Sequence, residues 1–139
     1  MSERQGGADS GDSVATMIAA DEASRALGIE VVAYGDGRAE VRMKVRADMV
    51  NGYELAHGGL VFALADTAFA AACNSVAAPT VAAGAEIVFV APARLGDELV
   101  ATAELRTEFG RSGIYDVTVR RDDTVVAEFR GRSHRLVAR

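Results

Sequence analysis

From residue 39 to residue 46 the chain alternates without a break. Ala39, Val41, Met43 and Val45 fall on one face, with Glu40, Arg42, Lys44 and Arg46 on the other. A period of two marks a half-buried strand. Residues 29–34 form a second β-rich run, and Gly35-Asp36-Gly37 between the two is a strong turn signal, so a hairpin is expected. The alternation returns in residues 99–108 and 114–121, and residues 81–90 and 124–136 complete a set of five or six strands. The connections at 93–97, 110–113 and 122–123 are short, which predicts that these consecutive strands form an antiparallel meander.

Two stretches follow a helical period instead. Residues 14–27 place Val14, Met17 and Ile18 at near-helical spacing and end at Gly28, predicting one short amphipathic helix. Residues 60–73, LVFALADTAFAAAC, contain no Pro or Gly and are rich in Ala and Leu, which favours helix over strand. That helix is apolar nearly all round, so it is expected to be buried on most sides, with Asn74-Ser75 as its end. The loop before it, residues 49–59, holds Asn51-Gly52 and His57-Gly58-Gly59. One buried helix and a run of antiparallel strands predict an α+β domain in which a single curved sheet wraps the helix. Such a layer leaves sheet edges unpaired, so a second subunit is expected.

With 139 residues, half of them hydrophobic and 25% charged, the chain has room for one domain, placed at 13–139 after a polar, Gly-rich tail at 1–12. The net charge of −5 argues against nucleic acid or an anionic membrane as partner. Arg130, Arg132, His134, Arg135 and Arg139 nonetheless give the C-terminus a local basic edge that a phosphate-bearing ligand could use. Cys73 is the only cysteine, which excludes an intrachain disulfide and a cysteine-based metal site. No N-terminal stretch resembles a signal peptide, and the longest apolar run, 58–73, is shorter than a membrane span and contains Asp66. A cytoplasmic protein is expected.

Asp66 is the residue that asks for an explanation. An unpaired carboxylate among apolar side chains costs several kcal/mol, or its pKa rises until it is neutral. It either pairs with an arginine or sits on an exposed stripe, or it is kept desolvated for reactivity as a general base or nucleophile. Gly58-Gly59 opens the helix, where the first N–H groups have no intrahelical acceptor and the dipole is positive. A carbonyl oxygen docked there would be polarised, and the amide of Asn51 could donate to the same atom. Taken alone, both Gly-Gly and Asn-Gly are also ordinary turn pairs. Gly58 and Asp66 are eight residues apart, roughly 12 Å along one helix. They cannot both touch one substrate carbonyl, so if both act, Asp66 must come from a facing subunit whose helix runs antiparallel.

The stretch NGYELAHGGLVFALADTAFAAACNS resembles the signature of the hotdog thioesterases of the phenylacetic-acid-degradation type, the PaaI family. APARLGDELVATAEL, GRSGIYDVTV and FRGRSH are similar to later parts of that family in the same order, so the likeness spans about 21–136. It implies a hotdog fold and hydrolysis of aryl- or short- to medium-chain acyl-CoA of the phenylacetyl-CoA type. It also implies a homotetramer of two dimers with shared sites, and no metal or other cofactor, coenzyme A being part of the substrate. Carried over residue by residue, Asn51 and the Gly58 N–H would bind the carbonyl oxygen, while Asp66 activates water or attacks directly. Thr67 would help to hold the water. Some relatives place a water-orienting serine on the following strand, where this chain has Val81-Ala82-Ala83-Gly84-Ala85. Thr67 or backbone groups would have to replace it.

His57 suits a turn-holding hydrogen bond better than catalysis, and Cys73 suits the core better than nucleophilic attack. Gly110, Arg111, Ser112 and Gly113 offer N–H groups, a hydroxyl and a guanidinium for the phosphate or pantetheine of CoA, or else form a plain hairpin loop. Phe62, Phe69 and Phe89 are candidates to line an acyl pocket, with core packing as the ordinary alternative. Two other functions stay open on the sequence: a hotdog enoyl-CoA hydratase or dehydratase, which would need His57 in an acid-base pair, and a non-catalytic acyl-CoA-binding protein.

Overall fold

One helix of 19 residues, α3 (Gly58–Val76), fills the concave side of a six-stranded antiparallel sheet. The structure is a computed structural model and describes residues 13–137. The tail at 1–12 and Arg139 therefore lie outside the described residues. Two short helices, α1 (Ser13–Ala19) and α2 (Glu22–Ala26), precede the hairpin β1 (Glu30–Gly35) and β2 (Arg38–Lys44). After α3 come β3 (Thr80–Phe89), β4 (Glu98–Phe109), β5 (Ser112–Arg121) and β6 (Thr124–Arg135). This is the α+β arrangement expected from the sequence.

The first hairpin turns at Asp36-Gly37, where both residues have positive φ, 52° and 80°. Only a mirror-image turn of this kind matches the twist of the flanking strands, and Asp-Gly is a pair that tolerates it. Alternation then does its work: Ala39, Val41 and Met43 of β2, Leu99, Ala101 and Ala103 of β4, and Tyr115, Val117 and Val119 of β5 are all buried against α3. On the helix, Val61, Leu64, Ala65, Ala68, Phe69, Ala71, Ala72 and Cys73 answer them. Each large side chain so buried contributes roughly 1.5–3 kcal/mol. By length and composition α3 could also cross a membrane, contrary to the expectation from the shorter run; here the sheet supplies its apolar surroundings.

Two expectations need correction. The single helix expected at 14–27 is two, because Asp21 accepts a hydrogen bond from the Ser24 N–H at 3.0 Å and so caps a new helix. A side chain that bonds locally to the backbone competes with helix continuation, and here the cap prevails. The meander also holds only for β4-β5-β6. The strand order is β1-β2-β4-β5-β6-β3, which puts β3 at the far edge beside β6. The reason is α3 itself, which carries the chain across the concave face before β3 begins. Residues 90–97 then bring it back, as the Leu55–Arg94 bridge and the Val45 N–H to Asp97 carbonyl bond (2.9 Å) record.

The helix runs one residue past the expected end at Asn74-Ser75, to Val76, and Asn74 lies within it. That side chain is buried, donating to the carbonyls of Ala70 (2.9 Å) and Thr80 (3.0 Å) and accepting from the Thr80 N–H (3.0 Å). It thereby clamps the start of β3 to the end of α3.

The packing of β6 on α3 leaves no slack. A Cβ on Gly131 would lie 2.8 Å from the Phe69 ring, and that ring is held edge-on to Tyr115 and tilted against Phe129. Gly131→Ala should therefore destabilise the fold by about 1–3 kcal/mol, read as a lowered urea midpoint with unchanged slope.

Candidate active site

The sheet does not cover α3 completely. Gly59, Phe62, Ala63, Asp66, Thr67 and Ala70 fall at helical spacing on the remaining stripe, where no residue is fully buried. Asp66 stands in the middle of it, half-buried. Its carboxylate accepts no hydrogen bond and meets no cation among the described residues; the ion pairs there belong to other acids, such as Asp116 with Arg130 and Asp97 with Arg121. The arginine partner considered from the sequence is thus absent among these residues. Burial, and then the negative charge of Asp21, hold the Asp66 carboxyl above the usual carboxylate range. A carboxylate that prefers a proton is a competent base.

At the other end of the stripe, α3 begins without a side-chain cap. His57 occupies the cap position, its carbonyl accepts from the Leu60 N–H at 2.9 Å, and the Gly58 and Gly59 N–H groups find no acceptor among the described residues. The Phe89 ring from β3 lies against Gly58 so closely that a Cβ there would meet it at 2.9 Å. Phe89 is half-exposed (53%) and lines the approach to the helix start. Phe69 is a core residue, and Phe62 packs edge-on to Phe129 at 5.3 Å.

The loop before α3 is a short ladder, with Val50 bridged to Ala56 and the His57 N–H donating to the Met49 carbonyl at 2.8 Å. Asn51 organises it. Its side-chain oxygen accepts from the N–H groups of Tyr53 (2.8 Å) and Leu55 (3.2 Å), so the amide nitrogen is the end left over, exposed and able to donate. The turn role and the donor role weighed from the sequence are therefore compatible. His57, by contrast, makes no side-chain hydrogen bond among the described residues; its backbone N–H and carbonyl hold the turn.

The hydroxyl of Thr67 is already engaged. It lies 2.8 Å from the Ala63 carbonyl and 3.0 Å from the Ser24 hydroxyl, and its single proton can serve either acceptor. Ser24 in turn donates to Asp21 at 2.7 Å. Asp21 and Ser24 were missed in the sequence; an Asp three residues before a Ser, in mid-helix pattern, was the signal that a cap stood there.

The β4–β5 hairpin does not join this group within one chain. It packs beside Cys73 and Val76 at the C-terminal end of α3, about 27 Å along the helix from Gly58. Gly110 and Arg111 form its exposed tip, Ser112 pairs with Phe109, and Gly113 is buried in the sheet next to Ser133, so only the first two stand free for a ligand. Burial pushes the Cys73 thiol up to about 12, which removes it as a nucleophile. No cluster of three His, Cys, Asp or Glu side chains placed to hold a metal occurs among the described residues.

The raised pKa of Asp66 has a consequence for stability. A carboxyl whose folded pKa exceeds its unfolded value favours the fold when protonated and loses that advantage as pH rises through the folded pKa. Asp66→Asn should therefore raise the melting temperature at pH 7 to 8, with the difference from wild type shrinking as the pH falls through the acid range, as followed by calorimetry across pH.

Comparison with known proteins agrees with this geometry. Residues 53–128 match the model of the thioesterase superfamily. The chain is 45% identical over 117 residues to the acyl-coenzyme A thioesterase PaaI of Escherichia coli, covering 84% of each chain. It superposes on the structure of the E. coli PaaI protein from the phenylacetic acid degradation operon with a TM-score of 0.86 at 42% identity, over 89% of this chain and 91% of that one. A mutant of the phenylacetic acid degradation protein PaaI of Thermus thermophilus matches with a TM-score of 0.81 at 36% identity, over 84% of this chain and 100% of that one. With a family model matched over more than half of its length and close identity to a curated relative, this chain belongs to the thioesterase superfamily and is a hotdog-fold protein of the PaaI type.

Proposed function

We propose that this protein hydrolyses acyl-CoA thioesters at sites shared between two subunits, with Asp66 of one facing Gly58 and Asn51 of the other. The observation that carries this reading is the pairing of an unpartnered, half-buried carboxylate with an uncapped helix start on the same rigid rod. Eight residues of helix keep the two roughly 12 Å apart. Two antiparallel copies of α3 would bring each Asp66 to the partner's helix start. The edge strand β3 supports such pairing, since Val81, Val88 and Phe89 on it are exposed apolar side chains beside an unpaired ladder.

In this arrangement the thioester oxygen accepts from the Gly58 N–H and the Asn51 amide, which stabilise the charge as the carbonyl carbon becomes tetrahedral. Asp66 of the partner subunit takes a proton from water as its oxygen attacks that carbon. Collapse breaks the C–S bond, and the departing thiolate receives the proton from Asp66, leaving free acid and CoA. Direct attack by Asp66 would instead give a mixed anhydride, which trapping with hydroxylamine distinguishes. No step uses a metal, and CoA enters only as part of the substrate. The acyl group is of aryl or short- to medium-chain size, in keeping with the identity to PaaI, and two such dimers form the tetramer. In such a dimer the partner's hairpin tip would fall beyond its Asp66, and we assign Gly110 and Arg111 of that tip to the pantetheine arm or the phosphates of CoA.

Two measurements test this. Asp66→Asn should lower thiol release from a panel of aryl- and alkyl-CoA esters at least about a hundredfold, with CoA still bound. Equal rates in the two proteins would sink the mechanism. In mixed dimers, a subunit carrying Gly58→Val combined with one carrying Asp66→Ala should recover up to half of the activity of one wild-type dimer, because one of the two sites is then intact. Dialysis against EDTA should leave the wild-type rate unchanged.

A further inference from the structure

Beside Asp66, α3 is covered by the α1–α2 segment, yet little apolar burial keeps α2 in place. No residue of α2 is buried; α1 buries Val14 and packs Met17 and Ile18 partly buried against the core. The side-chain bond that ties α2 to α3 is polar: the Ser24 hydroxyl lies 3.0 Å from that of Thr67. Ser24 is itself held twice by Asp21, through its N–H at 3.0 Å and its hydroxyl at 2.7 Å.

Counting protons shows what this link depends on. Each hydroxyl has one proton to give. The charged acceptor Asp21 takes that of Ser24, which leaves the Ser24 oxygen as an acceptor. The link to α2 therefore rests on the single Thr67 proton, for which the Ser24 oxygen at 3.0 Å competes with the Ala63 carbonyl at 2.8 Å. Thr67 directly follows Asp66 on the helix. Between the segment and α3 lies a cavity of about 490 Å³, lined by Met17, Ile18, Ser24, Val31, Thr67 and Ala70 among others.

We infer that Ser24, braced by Asp21, is a positioning residue for hydrolysis: through Thr67 it holds the α1–α2 cover against the part of α3 that carries Asp66. The inference rests on Asp66 being the working carboxylate. Of the other groups around α3, Arg25 is engaged by Glu22 and the Ala19 carbonyl. Glu30 stands at the β1 rim of the cavity, and Cys73 and Tyr115 are pushed up to about 12 and are neutral near pH 7. The buried faces of β2 and β4 present only apolar side chains, and that of β6 adds Ser133. Asp21 is the charge that acts on Asp66.

Steady-state thiol release by purified full-length variants tests this. Ser24→Ala should lower kcat about tenfold with KM changed less than about threefold, the pattern of lost positioning and not of lost binding. Ser24→Thr, which restores the hydroxyl, should recover most of the loss. Thr67→Val alone should match Ser24→Ala, and the double variant should be little worse than either, because both remove one bond. Asp21→Asn keeps a competent cap but not the charge, so the acid limb of its kcat/KM profile should move to lower pH, whereas Ser24→Ala leaves that limb in place. Should Ser24→Ala fail to fold, Thr67→Val carries the test. Wild-type kcat in these variants, a loss that Ser24→Thr does not restore, or fully additive losses would overturn the inference. If Asp66→Asn is inactive while Ser24→Ala is unimpaired, only the positioning role fails; if Asp66→Asn is fully active, the Asp66 reading fails with it.

Discussion

Everything in this fold answers to the burial of one apolar helix by a single sheet. A 19-residue helix that is apolar nearly all round has to be covered, and one curved layer of strands can reach only part of its circumference. Small side chains are buried on both surfaces, Ala65, Ala68 and Ala72 on the helix and Ala101, Ala103 and Ala127 on the sheet, which lets the two approach closely. The uncovered stripe is what geometry leaves over. That stripe holds Asp66, the one charge on the helix, and the neighbouring Thr67 makes the side-chain link from α3 to the covering segment. Chemistry is thus placed where the sheet runs out.

The same constraint shapes the two ends of α3. Its start is left without a side-chain cap, so the N–H groups of Gly58 and Gly59 find no acceptor among the described residues. Its finish is the reverse, with every polar atom of Asn74 committed to holding β3. One end of the helix is kept reactive and the other is made rigid. A rod anchored at its far end can present a precise near end, which is what polarising a carbonyl by backbone groups requires.

Much of this was legible in the sequence because it rests on local patterns. Period-two alternation located the strands, Asp36-Gly37 located the first turn, and the charge inside LVFALADTAFAAAC located Asp66. What was hidden depends on contacts distant in sequence. Nothing in residues 81–90 announces that they pair with β6 and not with β4, since the alternation of a strand does not name its neighbour. The break at Asp21 was local, yet a helical period on both sides masked it. The role of Ser24 needed the meeting of residues 43 positions apart. The split of Asn51 into an occupied oxygen and a spare amide nitrogen likewise needed coordinates, because the sequence shows the residue and not which end is used.

Phe89 joins two of these themes. It belongs to β3, an edge strand, and its ring rests on Gly58, where any larger residue would collide with it. Whatever straightens or shifts that strand therefore moves a wall of the helix start. If β3 is the seam between subunits, assembly and the shape of the entrance are mechanically one variable. Dilution would then act as an inhibitor, and the enzyme's selectivity among acyl groups would be a property of the assembled protein that no separated subunit possesses.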